Sequence, residues 1–291
     1  MVGYLSDSIR EDLKILSKII MSGHSKWAKI KRAKGVTDQK RGALFTKIGN
    51  AITVAAKTGG GDADLNFGLR LAIDKAKAAN LPKDNVQKAI DKGLGVGKDA
   101  VSYENISYEG YLGGDIAFII DCLTDNANRT FADIRKMAES SGAVMGSVNS
   151  VSWQFEELGR INMYLGKVVK SEKYGGIDKL VKVESKDEVM LQILDIPGVN
   201  DVLDIELEFV SNDELEGEEN YKGFEILTSK VDLNHVYKEI SKLGYKIESA
   251  EVVKICKSPI EIPEEKEEKL HNFIEKMEES DDVLNVWHNV K

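Results

Sequence analysis

The stretch IAFIIDCLTDNANRTFADIRKMAESSG, residues 116–142, decides the class of the larger part of the fold. It begins with an almost wholly apolar run, IAFIIDCL, which predicts a buried strand. The next residues, TDNANRT, are rich in the Asn and Asp side chains that occupy turns and cap helices. Apolar residues then recur at helical spacing, and a glycine ends the pattern. The residues predicted to face inward from this helix are Phe131, Ile134, Met137 and Ala138.

The same order of a helix, a Gly or Asp ending and a strand occurs four times after residue 99. The endings read ESSG, DIPG, SKLG and ESDD. Before the second of them, Ser185 and Glu188 have the spacing of a capping box. Four such units with interleaved strands predict two ferredoxin-like α+β domains. Residues 99–160 with 257–291 are assigned to one domain, and residues 161–256 are assigned to a second domain inserted into it.

Residues 22–98 instead predict a compact domain of three helices. Thr37 or Asp38 can cap the first helix and Asp64 or Asn66 the second, while a proline suits the first turn of the third. The residues predicted to face the core of this domain are Leu44, Phe45, Ile48, Ile52, Ala55, Leu65, Leu69, Ala72, Ile73, Ala76, Ala79, Val86, Ala89, Ile90 and Leu94. The fold class is therefore an N-terminal three-helix domain followed by two ferredoxin-like α+β domains.

Residues 1–21 form an extension before the helical domain. Their apolar positions are spread at helical spacing and not gathered in a block, so they do not read as a signal peptide. They fit a short amphipathic helix or the product of an upstream start codon. In the second case Met21 would be the natural first residue.

Charge is distributed unevenly along the chain. The formal net charge is -9, from 40 Lys+Arg and 49 Asp+Glu. Residues 22–98 hold 16 basic and 6 acidic residues, whereas residues 99–291 hold 21 basic and 40 acidic residues. A basic domain joined to an acidic remainder indicates that only the basic part meets a polyanion.

The strongest basic signal lies between residues 22 and 58, which hold nine Lys or Arg residues and a single acid, Asp38. A solvated helix face normally mixes both signs of charge. Clustered bases without acids are instead what phosphate binding and counterion release require. Trp27 could stack on a base or could equally anchor a core or hinge. The few apolar residues of 22–36 predict an arm that a partner orders.

Other sequence features point to little chemistry. Arg129, in TDNANRT, could bind a phosphate at a helix start, although turn and cap roles are the commoner explanation for such residues. The runs TGGGD and GLGVGKD lack the spacing of a phosphate-binding loop. The four histidines and the cysteines Cys122 and Cys256 form no metal or catalytic pattern. We therefore expect no enzyme activity, cofactor, metal or small-molecule substrate, and no membrane partner.

Several segments in this order resemble one known family. They are GHSKWAKIKRAKG (23–35), KRGALFTK (40–47), NFGLR (66–70), NLPKDNVQKAIDKGLG (80–95), YEGYLGGDIAFIIDCLTDNANRT (108–130), SVSWQF (150–155) and DDVLNVWHN (281–289). The chain thereby resembles the YebC/PmpR family, which has a mitochondrial relative that activates translation of a cytochrome c oxidase subunit. Ala33 departs from the basic cluster that is usual there.

The resemblance implies a helical domain plus two α+β domains, and a cytoplasmic regulator. Family members are described as DNA-binding transcriptional regulators and also as ribosome-associated factors that help elongation through difficult stretches such as proline runs. The partner is thus expected to be DNA, ribosomal RNA or the ribosome. The alternative is a protein–protein adaptor that acts through its acidic α+β domains. The predicted nucleic-acid-binding residues are His24, Lys26, Trp27, Lys29, Lys31, Arg32, Lys34, Lys40, Arg41, Lys47 and Arg129.

Overall fold

The computed structural model describes residues 38–96, 103–169, 179–182, 185–208 and 220–291. In this part the chain forms seven α-helices and nine β-strands. It divides into two compact units, because Glu157–Lys254 forms a unit of its own between two parts of the first.

The described part of the first unit starts with three helices. These are α1 (Asp38–Gly59), α2 (Phe67–Ala78) and α3 (Lys83–Gly93). They pack around a shared core in which Ile52, Leu69 and Ala76 are fully buried. Burying an Ile or Leu side chain contributes roughly 1.5–3 kcal/mol, so the apolar stripes predicted from the sequence hold the bundle together.

Asn66 connects the first two helices. Its side-chain oxygen accepts the N–H of Leu69 at 3.1 Å, which caps α2, and its amide donates to the carbonyls of Ala55 and Gly60 at 2.8 Å. The prediction that Asn66 could start this helix is confirmed. At the other side of the bundle, Gly93 lies so close to α1 that a Cβ would collide with the backbone carbonyl of Thr53.

Three leucines predicted to face this core are exposed instead. Leu65 is 85% exposed because it precedes the cap of α2 and so lies outside the helix. Leu94 is 47% exposed at the C-cap of α3, and Leu44 is 42% exposed on the outer side of α1. For Leu65 and Leu94 the helical spacing of apolar residues extends beyond the helix itself, before the start of α2 and after the end of α3.

The first unit also contains a four-stranded antiparallel sheet with the order β3-β1-β2-β9. The strands are β1 (Glu104–Leu112), β2 (Ile116–Thr124), β3 (Ala143–Met145) and β9 (Val283–His288). Two helices pack on it, α4 (Ala127–Ser140) and α7 (Glu264–Glu278). The core includes Phe118, whose ring centroid lies 4.8 Å from that of Phe273.

Helix α4 follows the prediction with one exception. Ile134 and Ala138 are fully buried, and Asn126 caps the helix by accepting the N–H of Arg129 at 3.1 Å. Phe131, predicted to face inward, is 43% exposed. It lies at the rim, where its ring centroid is 5.6 Å from that of Tyr108.

The second unit is built on a five-stranded sheet with the order β5-β4-β7-β6, in which β8 also pairs with β4. Its elements are β4 (Phe155–Val169), β5 (Lys179–Lys182), α5 (Lys186–Leu194), β6 (Val199–Glu208), β7 (Asn220–Ser229), α6 (Leu233–Lys242) and β8 (Tyr245–Cys256). Without the short β5, this is the β-α-β-β-α-β chain order of a ferredoxin-like domain. Ser185 accepts the N–H of Glu188 at 3.3 Å, as the capping-box spacing predicted.

The fold class predicted from the sequence is confirmed: a helical region is followed by two α+β arrangements with antiparallel sheets. The two sheets differ in chain order. In the first, the hairpin β1–β2 comes before both helices and supplies the two central strands. That arrangement lets the chain leave the first unit after β3 and return for α7 and β9.

Candidate nucleic-acid interface

The predicted nucleic-acid-binding residues fall into three groups in the structure. His24, Lys26, Trp27, Lys29, Lys31, Arg32 and Lys34 lie outside the described residues. Lys40 and Arg41 are placed only by their backbone, which is helical in the first turns of α1. Lys47 and Arg129 are the predicted residues whose side chains are described.

Helix α1 fixes where the basic segment, residues 22–37, joins the rest of the protein. It is 22 residues long, and Ile48, Ile52 and Ala56 bury one side of it in the bundle core. Lys40 and Arg41 stand about two turns before this anchored part and follow directly on the basic residues of 22–37. The bundle therefore holds the end of the basic segment in a defined place.

Lys47 has a structural contact in this protein. Its ammonium group donates a hydrogen bond to the backbone carbonyl of Glu278 at 2.6 Å, in the last turn of α7. A cation at that position is favourable, because the last carbonyls of a helix carry its negative partial charge. Lys47 thus links the helical bundle to the α+β part of the same unit.

Arg129 lies at the start of α4 but already has two acidic partners. Its guanidinium is 2.9 Å from a carboxylate oxygen of Asp125 and 3.2 Å from one of Asp282. Asp282 also accepts the hydroxyl of Thr130 at 2.6 Å, so the cluster connects α4 to the turn before β9. A phosphate at Arg129 would have to exchange with these carboxylates.

Exposed lysines on the bundle are candidates that the sequence reasoning did not single out. Lys83 and Lys88 are both exposed on α3, and neither is in an ion pair within the described residues. Between residues 42 and 96 the bundle holds eight basic and five acidic residues. The sequence could have indicated these two lysines, because neither occupies a position of α3 that is predicted to face the core.

A buried carboxylate organises the loop between β3 and β4. Glu109, on β1, is only 7% exposed and accepts the backbone N–H groups of Asn149 at 2.9 Å, Val151 at 2.7 Å and Ser152 at 2.9 Å. Burial alone would raise the pKa of this carboxyl, but the three N–H donors stabilise its ionised form and lower the pKa. The left-handed backbone of Asn149, with φ of 66°, shapes the turn that brings these donors together.

This loop leads directly into an exposed tryptophan. Trp153 lies in a turn of 3-10 helix (Ser152–Gln154) and is 68% exposed. Its indole N–H donates to the carbonyl of Ser150 at 3.0 Å. The loop and the tryptophan belong to the first unit. In the sequence, SVSWQF stands out only as one of the segments that resemble the family.

The second unit contains a buried ion-pair cluster. Arg160 lies 2.6 Å from Glu251 and 3.7 Å from Glu225, across three neighbouring strands. Burial raises the pKa of Glu225, even though Arg160 acts in the opposite direction. The cluster joins three strands of the sheet through one guanidinium and two carboxylates, and we assign it a structural role.

The described residues contain no group of three or more His, Cys, Asp or Glu side chains arranged to hold a metal ion. Within the same ranges, no helix has both the length and the apolar content for a membrane span. Fold and charge together define a class of protein in which a basic N-terminal segment enters a three-helix bundle that is followed by two α+β domains.

Comparison with known proteins identifies this class. Residues 25–96 match the TACO1/YebC protein N-terminal domain, and residues 103–290 match the TACO1/YebC second and third domain. The chain therefore belongs to the TACO1/YebC family, and the resemblance seen in the sequence is confirmed.

Relatives and a solved structure agree with this assignment. The chain is 42% identical over 271 residues to a probable transcriptional regulatory protein of Borrelia garinii, covering 93% of this chain and 98% of that protein. It is 41% identical to a similarly named protein of Thermoanaerobacter pseudethanolicus, covering 93% and 97%. The fold is also similar to the crystal structure of a conserved hypothetical protein from Aquifex aeolicus, with a TM-score of 0.67. The two sequences are 30% identical, and the match covers 87% of this chain and 91% of that chain.

Proposed function

We propose that this protein is a cytoplasmic, non-enzymatic regulator of gene expression that binds nucleic acid through its basic N-terminal segment and helix α1. The observation that carries the proposal is the segregation of charge. Residues 22–41 hold seven basic residues and one acid, and they lead into a helix that the bundle core anchors. Clustered bases without neighbouring acids release the counterions of a phosphate backbone when they bind it.

The names of the relatives support the general role, since those proteins are named probable transcriptional regulatory proteins. Two partners fit the basic segment, namely duplex DNA and ribosomal RNA. Side chains placed for reading base edges in a groove would favour an operator sequence in DNA. The sequence shows no set of side chains placed for such readout, and a basic segment that enters structured RNA needs none, so we favour ribosomal RNA.

In this proposal the residues divide into two roles. Phosphates are bound by Lys26, Lys29, Lys31, Arg32, Lys34, Lys40 and Arg41, with His24 and Trp27 beside them. The bundle sets the direction in which this segment leaves the protein, and Lys47 fixes the bundle to the end of α7. Arg129 stays a prediction that requires exchange of its carboxylate partners.

The test is the affinity of the full chain for ribosomes and for duplex DNA, measured over a range of salt concentrations. Phosphate binding predicts that log affinity falls steeply with log salt. The double substitution Lys31→Glu with Arg32→Glu removes two phosphate contacts, so the slope should become shallower by roughly two. A chain that binds ribosomes more tightly than DNA at the same salt concentration supports the ribosomal partner.

The matched control is Lys238→Glu with Lys246→Glu, which makes the same change in charge on exposed positions of the second unit. This control should leave the slope unchanged. If the wild-type chain binds neither ribosomes nor DNA at low salt, the proposal is wrong and an adaptor role through the acidic domains gains support. Equal effects of the two double substitutions would show that net charge alone, and not the basic segment, governs binding.

A further inference from the structure

The most exposed aromatic side chain that the structure describes in a structured loop is Trp153. A tryptophan side chain carries a large apolar surface, which usually becomes mostly buried on folding. Here 68% of it is exposed, yet its indole N–H is bonded to the carbonyl of Ser150 at 3.0 Å. The ring is therefore oriented by a hydrogen bond while its surface stays open to solvent.

The loop that carries Trp153 is held in place before any ligand arrives. Glu109 binds three backbone N–H groups of residues 149–152, and its own carbonyl accepts the N–H of Gly146 at 2.7 Å. The hydroxyl of Tyr111 lies 3.4 Å from the same Ser150 carbonyl that binds the indole. Such preorganisation lowers the entropy that a ligand-binding surface loses when it binds.

A positive charge lies beside this tryptophan. The ammonium group of Lys257 is 3.2 Å from the carbonyl of Trp153, and the backbone N–H of Lys257 donates to the carbonyl of Gln154 at 2.8 Å. Lys257 is exposed, and within the described residues it is not in an ion pair. Because no carboxylate neutralises it there, its charge is available to a phosphate.

We propose that Trp153 and Lys257 form a second nucleic-acid contact, which takes an unpaired base of single-stranded RNA. The base stacks on the exposed indole, and Lys257 binds an adjacent phosphate. Asn149, also exposed, offers polar groups at the edge of the same loop. An aromatic face next to a lysine and polar side chains is the usual composition of a site for unpaired bases, whereas a duplex keeps its base faces covered. This inference rests on the proposed nucleic-acid binding and adds the kind of structure that is recognised.

The test compares a labelled 12-nucleotide single-stranded RNA with the blunt duplex of the same sequence, using the full chain. Trp153→Ala should weaken binding of the single strand about tenfold, because one stacked base is lost. Its effect on the duplex should stay within about twofold. Trp153→Phe keeps an aromatic face, so single-strand binding should remain within about threefold of wild type. Lys257→Ala should make the salt dependence for the single strand shallower by about one.

Leu65→Ala serves as the matched control, because it removes another highly exposed apolar side chain from the first unit. It should change neither affinity. A second measurement uses ultraviolet crosslinking of wild-type protein to the single strand. Trypsin releases Trp153 in the peptide of residues 137–160, so the crosslinked nucleotide should be found in that peptide.

The outcomes separate this inference from the proposed function. If wild type binds RNA but Trp153→Ala binds the single strand as tightly as wild type, the inference is overturned and the proposed function stands. Crosslinks confined to other peptides would overturn the inference in the same way. Crosslinking of the protein on ribosomes gives a further outcome. If Trp153→Ala loses a crosslink to a ribosomal protein but keeps its affinity for RNA, the surface binds a protein partner and the inference is overturned. If wild type binds no nucleic acid, both fail together.

Discussion

Replacing Glu109 with glutamine tests how the β3–β4 loop is held. The substitution keeps the shape of the side chain but removes its charge and one of its two acceptor oxygens. In whichever orientation the amide settles, at least one of the N–H groups of Asn149, Val151 and Ser152 faces another donor. The loop should therefore open more readily, although the β1 strand that carries Glu109 stays in its sheet.

The size of the effect follows from the three bonds. A hydrogen bond to a charged group contributes about 1.5–3 kcal/mol and one between neutral groups about 0.5–1.5 kcal/mol, while an unpaired buried N–H costs about 1–3 kcal/mol. Two weakened bonds and one lost bond give about 3–5 kcal/mol for the local opening. That corresponds to opening between about a hundredfold and several thousandfold more frequent.

The assay is hydrogen exchange of the backbone amides of Asn149, Val151 and Ser152, which report local opening without requiring the whole chain to unfold. Glu104→Gln is the control, because Glu104 lies on the same strand but is exposed. It should leave these amides unchanged. Exchange in the Glu109→Gln protein within about threefold of wild type would refute the reasoning, because the carboxylate would then not hold the loop.

The remaining predictions concern packing, thiol reactivity and pH. Gly93→Ala should lower the unfolding temperature of the bundle, because the added methyl group meets the backbone of α1, whereas Gly49→Ala, with open space around its Cβ, should leave it equal or higher. Burial raises the pKa of the Cys122 thiol to about 12, so Ellman's reagent at pH 8 should label the half-buried Cys256 first; a Cys122→Ser protein that labels more slowly would contradict this. Burial lowers the pKa of His288 to about 4, against an ordinary value of 6.5. Between these two pH values the imidazole stays neutral in the folded protein but takes up a proton in the unfolded chain. The free energy of unfolding should therefore fall as pH decreases from about 6.5 to 4, and a His288→Gln protein with the same pH profile would show that another group is responsible.

Local signals in the sequence were sufficient for much of the fold. Asn66, Asn126 and Ser185 each cap the helix that they were expected to start or precede, because a cap depends on residues only three positions apart. The buried stripes of the bundle likewise follow from helical spacing. Leu65 and Leu94 were misplaced for the same local reason, since spacing cannot show where a helix ends.

The candidate sites depend on contacts between residues that are distant in sequence. Arg129 is paired with Asp282, which lies 153 residues further along the chain, so its partner could not be seen from TDNANRT. Glu109 stands between tyrosines and glycines in SYEGYLGG, and this segment gives no sign that a loop 40 residues later supplies its donors. The basic run of residues 22–41, by contrast, can be recognised from the sequence alone, because the charge of a side chain does not depend on long-range contacts.

The chain order of the first sheet has a consequence for synthesis on the ribosome. Strand β2 is buried along nearly its whole length, and one of its edges pairs with β9. About 160 residues separate the two strands, including the whole second unit. At a synthesis rate of about 5–20 residues per second, β2 waits roughly 10–30 s for its neighbour. During that time the first sheet offers an open apolar edge, and the inserted unit can complete its own fold before the sheet closes. The nascent chain is thus most prone to aggregation while its last strand is still missing.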